Sequence, residues 1–280
     1  MMLRSLLYVP AHSERFIAKA HLRGADAVIL DLEDAVPPAD KLRARDGLAE
    51  SVPTVGQAGA RVFVRINADD LSEAADAVAA CRAGAYGLLV PKVQSPDRLN
   101  ALSDLLQTHE RQVGRPPMPL IAILEDPGAI LDARLIAKAP RVIALAVGSE
   151  DLALSLGAVP SPDVLRFPKL WVHYAAKAEG RLSLGLLRSI ADFTDLDAIA
   201  SAAAEAKAHG FDGATCIHPD AVAVLNTGFL PSEAEEDWAN RVIAQAERHL
   251  GAFALDGQMI DAPVLARARA VVDLIKRSGG

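Results

Sequence analysis

Val28-Ile-Leu-Asp-Leu-Glu-Asp-Ala-Val36 begins as an apolar run and breaks, without a turn, into three carboxylates: Asp31, Glu33 and Asp34. An interior strand of a parallel sheet reads as a continuous apolar run, and charge is kept out of its middle unless it is paired. Acids at the carboxyl end of such a strand therefore mark a mouth at which ligands bind. Side-chain alternation puts Asp31 and Glu33 on one face of the strand, with Asp34 beyond them.

The same succession of apolar strand, polar tip and helix recurs along the chain. Strands are expected at residues 5–10, 26–33, 61–67, 87–93, 119–125, 141–148, 182–187 and 213–219. Helices are expected at 13–23 with Ser13 as N-cap, 41–48, 72–83 opening at Ser72, 96–111, and from Glu125 to about residue 139. A further helical region through residue 179 is interrupted by a 160–168 loop, and a helix at 196–209 precedes the last strand. Strands alternating with helices argue for βαβ units and a parallel sheet. Eight such units argue for a closed (β/α)8 TIM barrel, and no G-x-G-x-x-G follows any strand, which weakens a dinucleotide-binding sheet. Residues 1–230 are read as the barrel and 231–280 as a C-terminal helical extension, with helices at 232–250 and 262–276 joined by a 251–261 connector.

Composition agrees. The chain has 280 residues, 51% of them hydrophobic and only 4% aromatic, which suits helices packed on a parallel sheet. A net charge of −7 with dispersed basic residues excludes a nucleic-acid surface. Cys81 and Cys216 lie far apart and imply neither a disulfide framework nor a zinc site. The first ten residues carry no cleavage pattern, and no stretch approaches the roughly 18–20 apolar residues of a membrane span. A soluble cytoplasmic protein is the expectation.

In this architecture the residues at strand tips converge on one face. They are Asp31, Glu33, Asp34, Arg65, Asn67, Lys92, Glu125, Glu150, Asp151 and His218. An oxygen-rich, sulfur-free set suits Mg2+, which takes one or two protein carboxylates and completes its shell with water and substrate. Glu125 and Asp151, on neighbouring tips and with Gly148 allowing close backbone approach, have the geometry of a two-carboxylate site. Both also precede helices and could cap them. Arg65 is expected to pair with Glu33 or Asp34, with Glu33 favoured, Asp31 to support the mouth, and Asp34 to open the following helix. Lys92 reads equally as a rim charge or a ligand contact, and His218 as a loop histidine.

The combination Leu7-Tyr-Val-Pro10 with Lys19, Asp31-Leu-Glu-Asp-Ala-Val36 with Lys41 and Arg45, Arg65-Ile-Asn67, Pro91-Lys92, Leu124-Glu125, Gly148-Ser-Glu-Asp151 and Gly210-Phe-Asp-Gly213 with Ile217-His-Pro219 resembles the citrate lyase beta-subunit-like family. That group, within the HpcH/HpaI aldolase superfamily, is similar to the malyl-CoA and citramalyl-CoA lyases. The resemblance implies a (β/α)8 barrel, usually trimeric and possible as a hexamer, that uses Mg2+ to cleave or form carbon–carbon bonds in acyl-CoA thioesters. It implies Glu125 and Asp151 as metal ligands, Arg65 with Glu33 in catalysis, and Tyr8, Lys19, Lys92 and His218 beside the substrate. Gly257-Gln-Met-Ile-Asp-Ala-Pro263 resembles a C-terminal lid whose aspartate, here Asp261, reaches a neighbouring subunit's site. Ser13, Ala214, Ala221 and Leu187 stand where the family often has Arg, Lys, Gln and Asp.

The function implied is a Mg2+-dependent lyase cleaving a 3-hydroxy-acyl-CoA such as citramalyl-CoA or malyl-CoA to a 2-oxo acid and acetyl-CoA. Alternatives are a malyl-CoA thioesterase, a citryl thioester lyase subunit of a citrate lyase complex, a CoA-independent 2-oxo acid aldolase, and a non-catalytic binder.

Overall fold

The computed structural model describes residues 2–249 and 251–278. Eight strands, β1 (Ser5–Pro10), β2 (Ala27–Asp31), β3 (Arg61–Arg65), β4 (Gly87–Val90), β5 (Leu120–Leu124), β6 (Val142–Val147), β7 (Leu182–Leu184) and β8 (Ala214–Cys216), alternate with helices. They form one parallel sheet in the order β7-β6-β5-β4-β3-β2-β1-β8. A parallel bridge from Leu184 to Gly213, with the Gly185 N–H donating to the Gly213 carbonyl at 2.8 Å, brings the two ends together. The result is the expected (β/α)8 barrel.

The barrel interior is filled rather than hollow. Leu6, Ile29, Phe63, Leu89, Ile121, Ile123 and Leu184 pack there, and every residue of β2 is buried. Gly213 is required where β8 meets the chain entering β1, since a Cβ there would lie 1.7 Å from the Leu3 carbonyl oxygen.

Several elements differ from expectation, each for a local reason. The loop expected at 160–168 is largely helix: Pro162–Ala178 starts at Pro162, capped by Ser161, whose hydroxyl accepts from the Val164 N–H. Pro168 sits inside it, on the face that buries Leu165 and Val172, so packing outweighs the missing hydrogen bond. The helix opening at Ser72 begins at Asp70 and is capped by Asp69, which accepts from the Ser72 N–H. The first helix, Glu14–Ala20, follows Ser13, whose side chain makes no capping bond. The 41–48 helix divides into Lys41–Asp46 and Leu48–Gly56. The segment after Glu125 forms two short helices, Pro127–Leu131 and Ala133–Ala137. Strands β7 and β8 stop three residues in, well short of residues 187 and 219.

The chain divides into two compact units, Met1–Asn226 and Thr227–Gly280. In the second, a capping box of Ser232 and Glu235 opens the helix Glu233–Ala246; the expected end of that helix, Leu250, lies outside the described residues. The expected connector is an antiparallel hairpin, Phe253–Leu255 with Gln258–Ile260. Asp256 (φ 51°) and Gly257 (φ 77°) make its two-residue turn, the left-handed pair that a tight hairpin needs. Ile260 packs with Ala239, Val242 and Ala268 from this helix and the last one, Ala262–Ser278. Among the described residues no helix is long and apolar enough to cross a membrane.

Candidate active site

The carboxyl ends of the strands enclose a cavity of about 410 Å³. Tyr8, Asp31, Arg65, Glu125 and Asp151 line it on one side, and Leu184, Ile190, Thr215 and Ile217 on another.

Arg65 stands at the end of β3 and is held by the acids after β2. Its Nε and Nη2 donate to the two oxygens of Asp31 at 2.7 and 2.6 Å, and its Nη1 donates to Asp34 at 2.9 Å. This side-on pair is the strong form of a guanidinium–carboxylate contact. Asp31 is completed by the backbone: its oxygens also accept from the N–H groups of Glu33 (2.9 Å) and Ala35 (3.2 Å). Glu33 does pair with Arg65, at 3.0 Å from Nη1, but its Oε2 lacks hydrogen-bond geometry, and its Oε1 accepts from Lys92 Nζ at 2.8 Å. Asp31, expected only to support the mouth, is the main clamp, and Glu33 pairs with Arg65 as expected but is shared with Lys92. Asp34 starts no helix, because the chain turns through Pro37 first; it completes the Arg65 shell instead. The Arg65 guanidinium lies 5.0 Å from the centroid of the Tyr8 ring.

Burial acts against the charge on Arg65, but its hydrogen bonds to Asp31 prevail and raise its pKa above the ordinary arginine value. Burial raises Glu33, with Arg65 and Lys92 opposing. Burial also raises the Tyr8 phenol, so it stays protonated.

Glu125, immediately after β5, has no such compensation. Its Oε2 is buried without a hydrogen-bond partner. Burial, then the neighbouring charges of Glu33 and Asp151, push its carboxyl up to about 8. Gly148 presses on it from the next strand tip: a Cβ at Gly148 would lie 2.5 Å from both Cγ and Oε1 of Glu125. Asp151, in the first turn of the helix Ser149–Leu156, shares the cavity.

The remaining expected contacts divide. Lys92 (φ 51°) is half exposed and borders an adjoining recess with Glu125 and Asp151. Lys19 stands exposed on the helix after β1. His218 is not brought to the cavity; its ring stacks on Phe193 at 5.2 Å and its Nδ1 accepts from the Asp220 N–H at 3.3 Å. Asp261 belongs to the second unit, where its Oδ1 accepts from the Val264 N–H at the start of the last helix. Lys169 was not anticipated. It is buried at the cavity, and its signal lay in the spacing Leu165, Pro168, Lys169, Val172 and Ala176, which places it on the inward face of its helix.

Fold and site together define a (β/α)8 barrel with a charged mouth, in which a clamped arginine shares the cavity with Glu125, whose Oε2 has no partner, and with Asp151. The HpcH/HpaI aldolase/citrate lyase family matches residues 4–219, and the chain belongs to that family. It is 36% identical over 266 residues to a (3S)-malyl-CoA thioesterase of Cereibacter sphaeroides, covering 92% of this chain and 89% of that one. It is 31% identical to the mitochondrial citramalyl-CoA lyase of Rattus norvegicus, covering 97% and 85%. Protein CitE of Mycobacterium tuberculosis, solved with magnesium, acetoacetate and coenzyme A, superposes with a TM-score of 0.81 at 34% identity, covering 99% of this chain and 98% of that one.

Proposed function

We propose that the protein is a Mg2+-dependent carbon–carbon lyase that cleaves a 3-hydroxy-acyl-CoA such as malyl-CoA or citramalyl-CoA to a 2-oxo acid and acetyl-CoA. The observation that carries this reading is Glu125: a buried carboxylate oxygen with no partner, beside a second acid, facing a cavity. A buried group left incomplete in this way fits a cation. Among the described residues no group of three or more His, Cys, Asp or Glu could hold a metal ion, so two carboxylates would leave positions for water and substrate, as Mg2+ prefers. Magnesium-bound CitE supports the same choice.

When bound by Glu125 and Asp151, Mg2+ would supply Lewis acidity to the substrate's hydroxyl and carboxylate oxygens. In the cleavage direction the hydroxyl proton passes to solvent water and the bond between the hydroxyl-bearing carbon and the thioester α-carbon breaks. The electron pair passes to a thioester enolate, which takes a proton at carbon. Arg65 has five N–H donors, and the acids after β2 leave some of them for the cavity. A single well-placed donor to developing negative charge is worth about 3–4 kcal/mol. Asp31 fixes the plane of that guanidinium, and Glu33 holds Arg65 and Lys92 together. Exposed Lys19 suits the phosphates of CoA, and Tyr8 packs beneath Arg65. Asp261, delivered by the lid of a neighbouring copy, would exchange the proton with the enolate carbon. Self-association is supported by Phe167, Trp171 and Tyr174, three exposed aromatics along one helix.

The test is a coupled assay of malyl-CoA, citramalyl-CoA and methylmalyl-CoA with and without Mg2+, followed by product analysis. Glyoxylate or pyruvate release supports the lyase. Hydrolysis to free CoA without an oxo acid supports the second reading, a thioesterase, which the 36% identity to the C. sphaeroides enzyme favours. Asp261→Asn should lower kcat more than it raises KM; unchanged turnover leaves Asp261 as a helix cap alone.

A further inference from the structure

Lys169 lies on the buried face of the helix Pro162–Ala178. Its Nζ donates to the carbonyl oxygens of Leu186 at 2.8 Å and Arg188 at 2.7 Å. Those carbonyls belong to the stretch after β7, which has no regular structure before the helix Leu196–His209. A longer β7 would hand such carbonyls to a neighbouring strand; here one amine takes both. The same stretch supplies Gly185, Ser189 and Ile190 to the cavity, and the Ser189 hydroxyl donates to Glu150.

An amine in this position is not the simplest way to fill the space. Burying a cation is destabilising until its partners offset it, and a methionine of similar length would pack there without that cost. Burial lowers the Lys169 amine to about 7, with Glu150 acting in the opposite sense. A neutral amine carries two N–H donors, and two carbonyls are present to meet them. The arrangement therefore commits a long polar side chain to holding one piece of loop in one place.

That piece of loop brings Gly185 and Ile190 to the cavity beside Leu184 and Ile217. The substrate's carboxylate, hydroxyl and thioester oxygen belong with Arg65, Glu125 and Asp151, leaving any alkyl substituent to face Leu184, Gly185, Ile190 and Ile217. We propose that Lys169 is a positioning residue that fixes residues 185–190 as the wall for the acyl substituent, so that this tie sets which acyl group is accepted. The proposal rests on the lyase reading above.

Malyl-CoA and citramalyl-CoA differ by one methyl group, which a shaped apolar pocket discriminates by about 10–200-fold. In Lys169→Met, hydrogen exchange of the amides in 186–191 should quicken by about tenfold or more. The ratio of kcat/KM for the two thioesters should move toward one by about fivefold or more, with the Mg2+-induced thermal shift retained. A folded Lys169→Met in which either the exchange or the ratio is unchanged overturns the proposal. Should that variant fail to fold, Ile190→Ala keeps the tie and alters the wall, and an unshifted ratio there overturns it. Absence of cleavage of both thioesters by the wild-type protein overturns the lyase reading instead, and the exchange measurement still decides whether Lys169 holds the loop.

Discussion

Asp31 and Glu125 are both carboxylates sealed into the mouth of the same barrel, one ending β2 and the other following β5, and their surroundings are opposite. Each oxygen of Asp31 accepts from Arg65 and from a backbone N–H. Glu125 keeps one oxygen with no partner and has Glu33 and Asp151 for neighbours. Burying an acid without partners is destabilising, so its presence at a cavity favours a ligand that completes it. The first acid is fully partnered by the protein and the second is not.

The largest effect expected from breaking this contrast is at Arg65. Arg65→Ala would leave buried Asp31 without a cation and Glu33 with Lys92 alone, which costs about 3–5 kcal/mol, read as a lower urea midpoint at unchanged slope. Lyase turnover should fall by about 10²-fold or more. A variant of wild-type stability would show that the clamp is ornamental.

Glu125→Gln should behave in the opposite way, losing Mg2+ response and turnover while keeping or gaining stability in the metal-free protein. The sign follows from proton uptake. A carboxyl whose folded pKa is about 8 rather than 4.5 binds more protons folded than unfolded between those values. Metal-free stability therefore falls as pH rises through that window, by at most about 1.4 kcal/mol per pH unit. Gln removes this slope. Mg2+, binding the ionised form, should raise Tm more at pH 8 than at pH 6. A variant with the wild-type slope refutes the assignment of the raised group.

Smaller effects sharpen the picture. Gly148→Ala drives a methyl group into the Glu125 carboxyl and should weaken Mg2+ binding by about 10–100-fold, as loss of ligand orientation commonly does; calorimetric titration measures it. Asp34→Ala removes the exposed member of the Arg65 shell. With Asp31 still in place, its stability cost should stay below about 1 kcal/mol, and a larger loss would mean that the clamp is shared.

The barrel was legible because eight apolar runs with polar tips leave few other architectures, and β2 most of all because its run is buried on both faces. Glu125 and Asp151 were legible as acids on adjacent tips. The partition of Arg65 among three acids was not, because alternation predicts which face a side chain takes but not how a chain turns after its strand. The backbone bends back after Asp31 so that the N–H groups of Glu33 and Ala35 meet its oxygens. The hairpin at Asp256-Gly257 was written plainly, since Asp-Gly is a strong two-residue turn signal, yet three-residue strands show too little alternation to draw attention. Pro168 misled for the converse reason: it is a local breaker on a helix face whose burial decides the matter.

Closure of the barrel depends on its shortest contacts. Elsewhere neighbouring strands share three to five register pairs, whereas β7 and the residue before β8 meet through one bridge among the described residues. A sheet closed in this way resembles a strip held by a latch, and sub-global opening should begin there. Because the stretch after β7 also forms part of the cavity, the first motion of unfolding and the motion that admits a bulky ligand would be the same one.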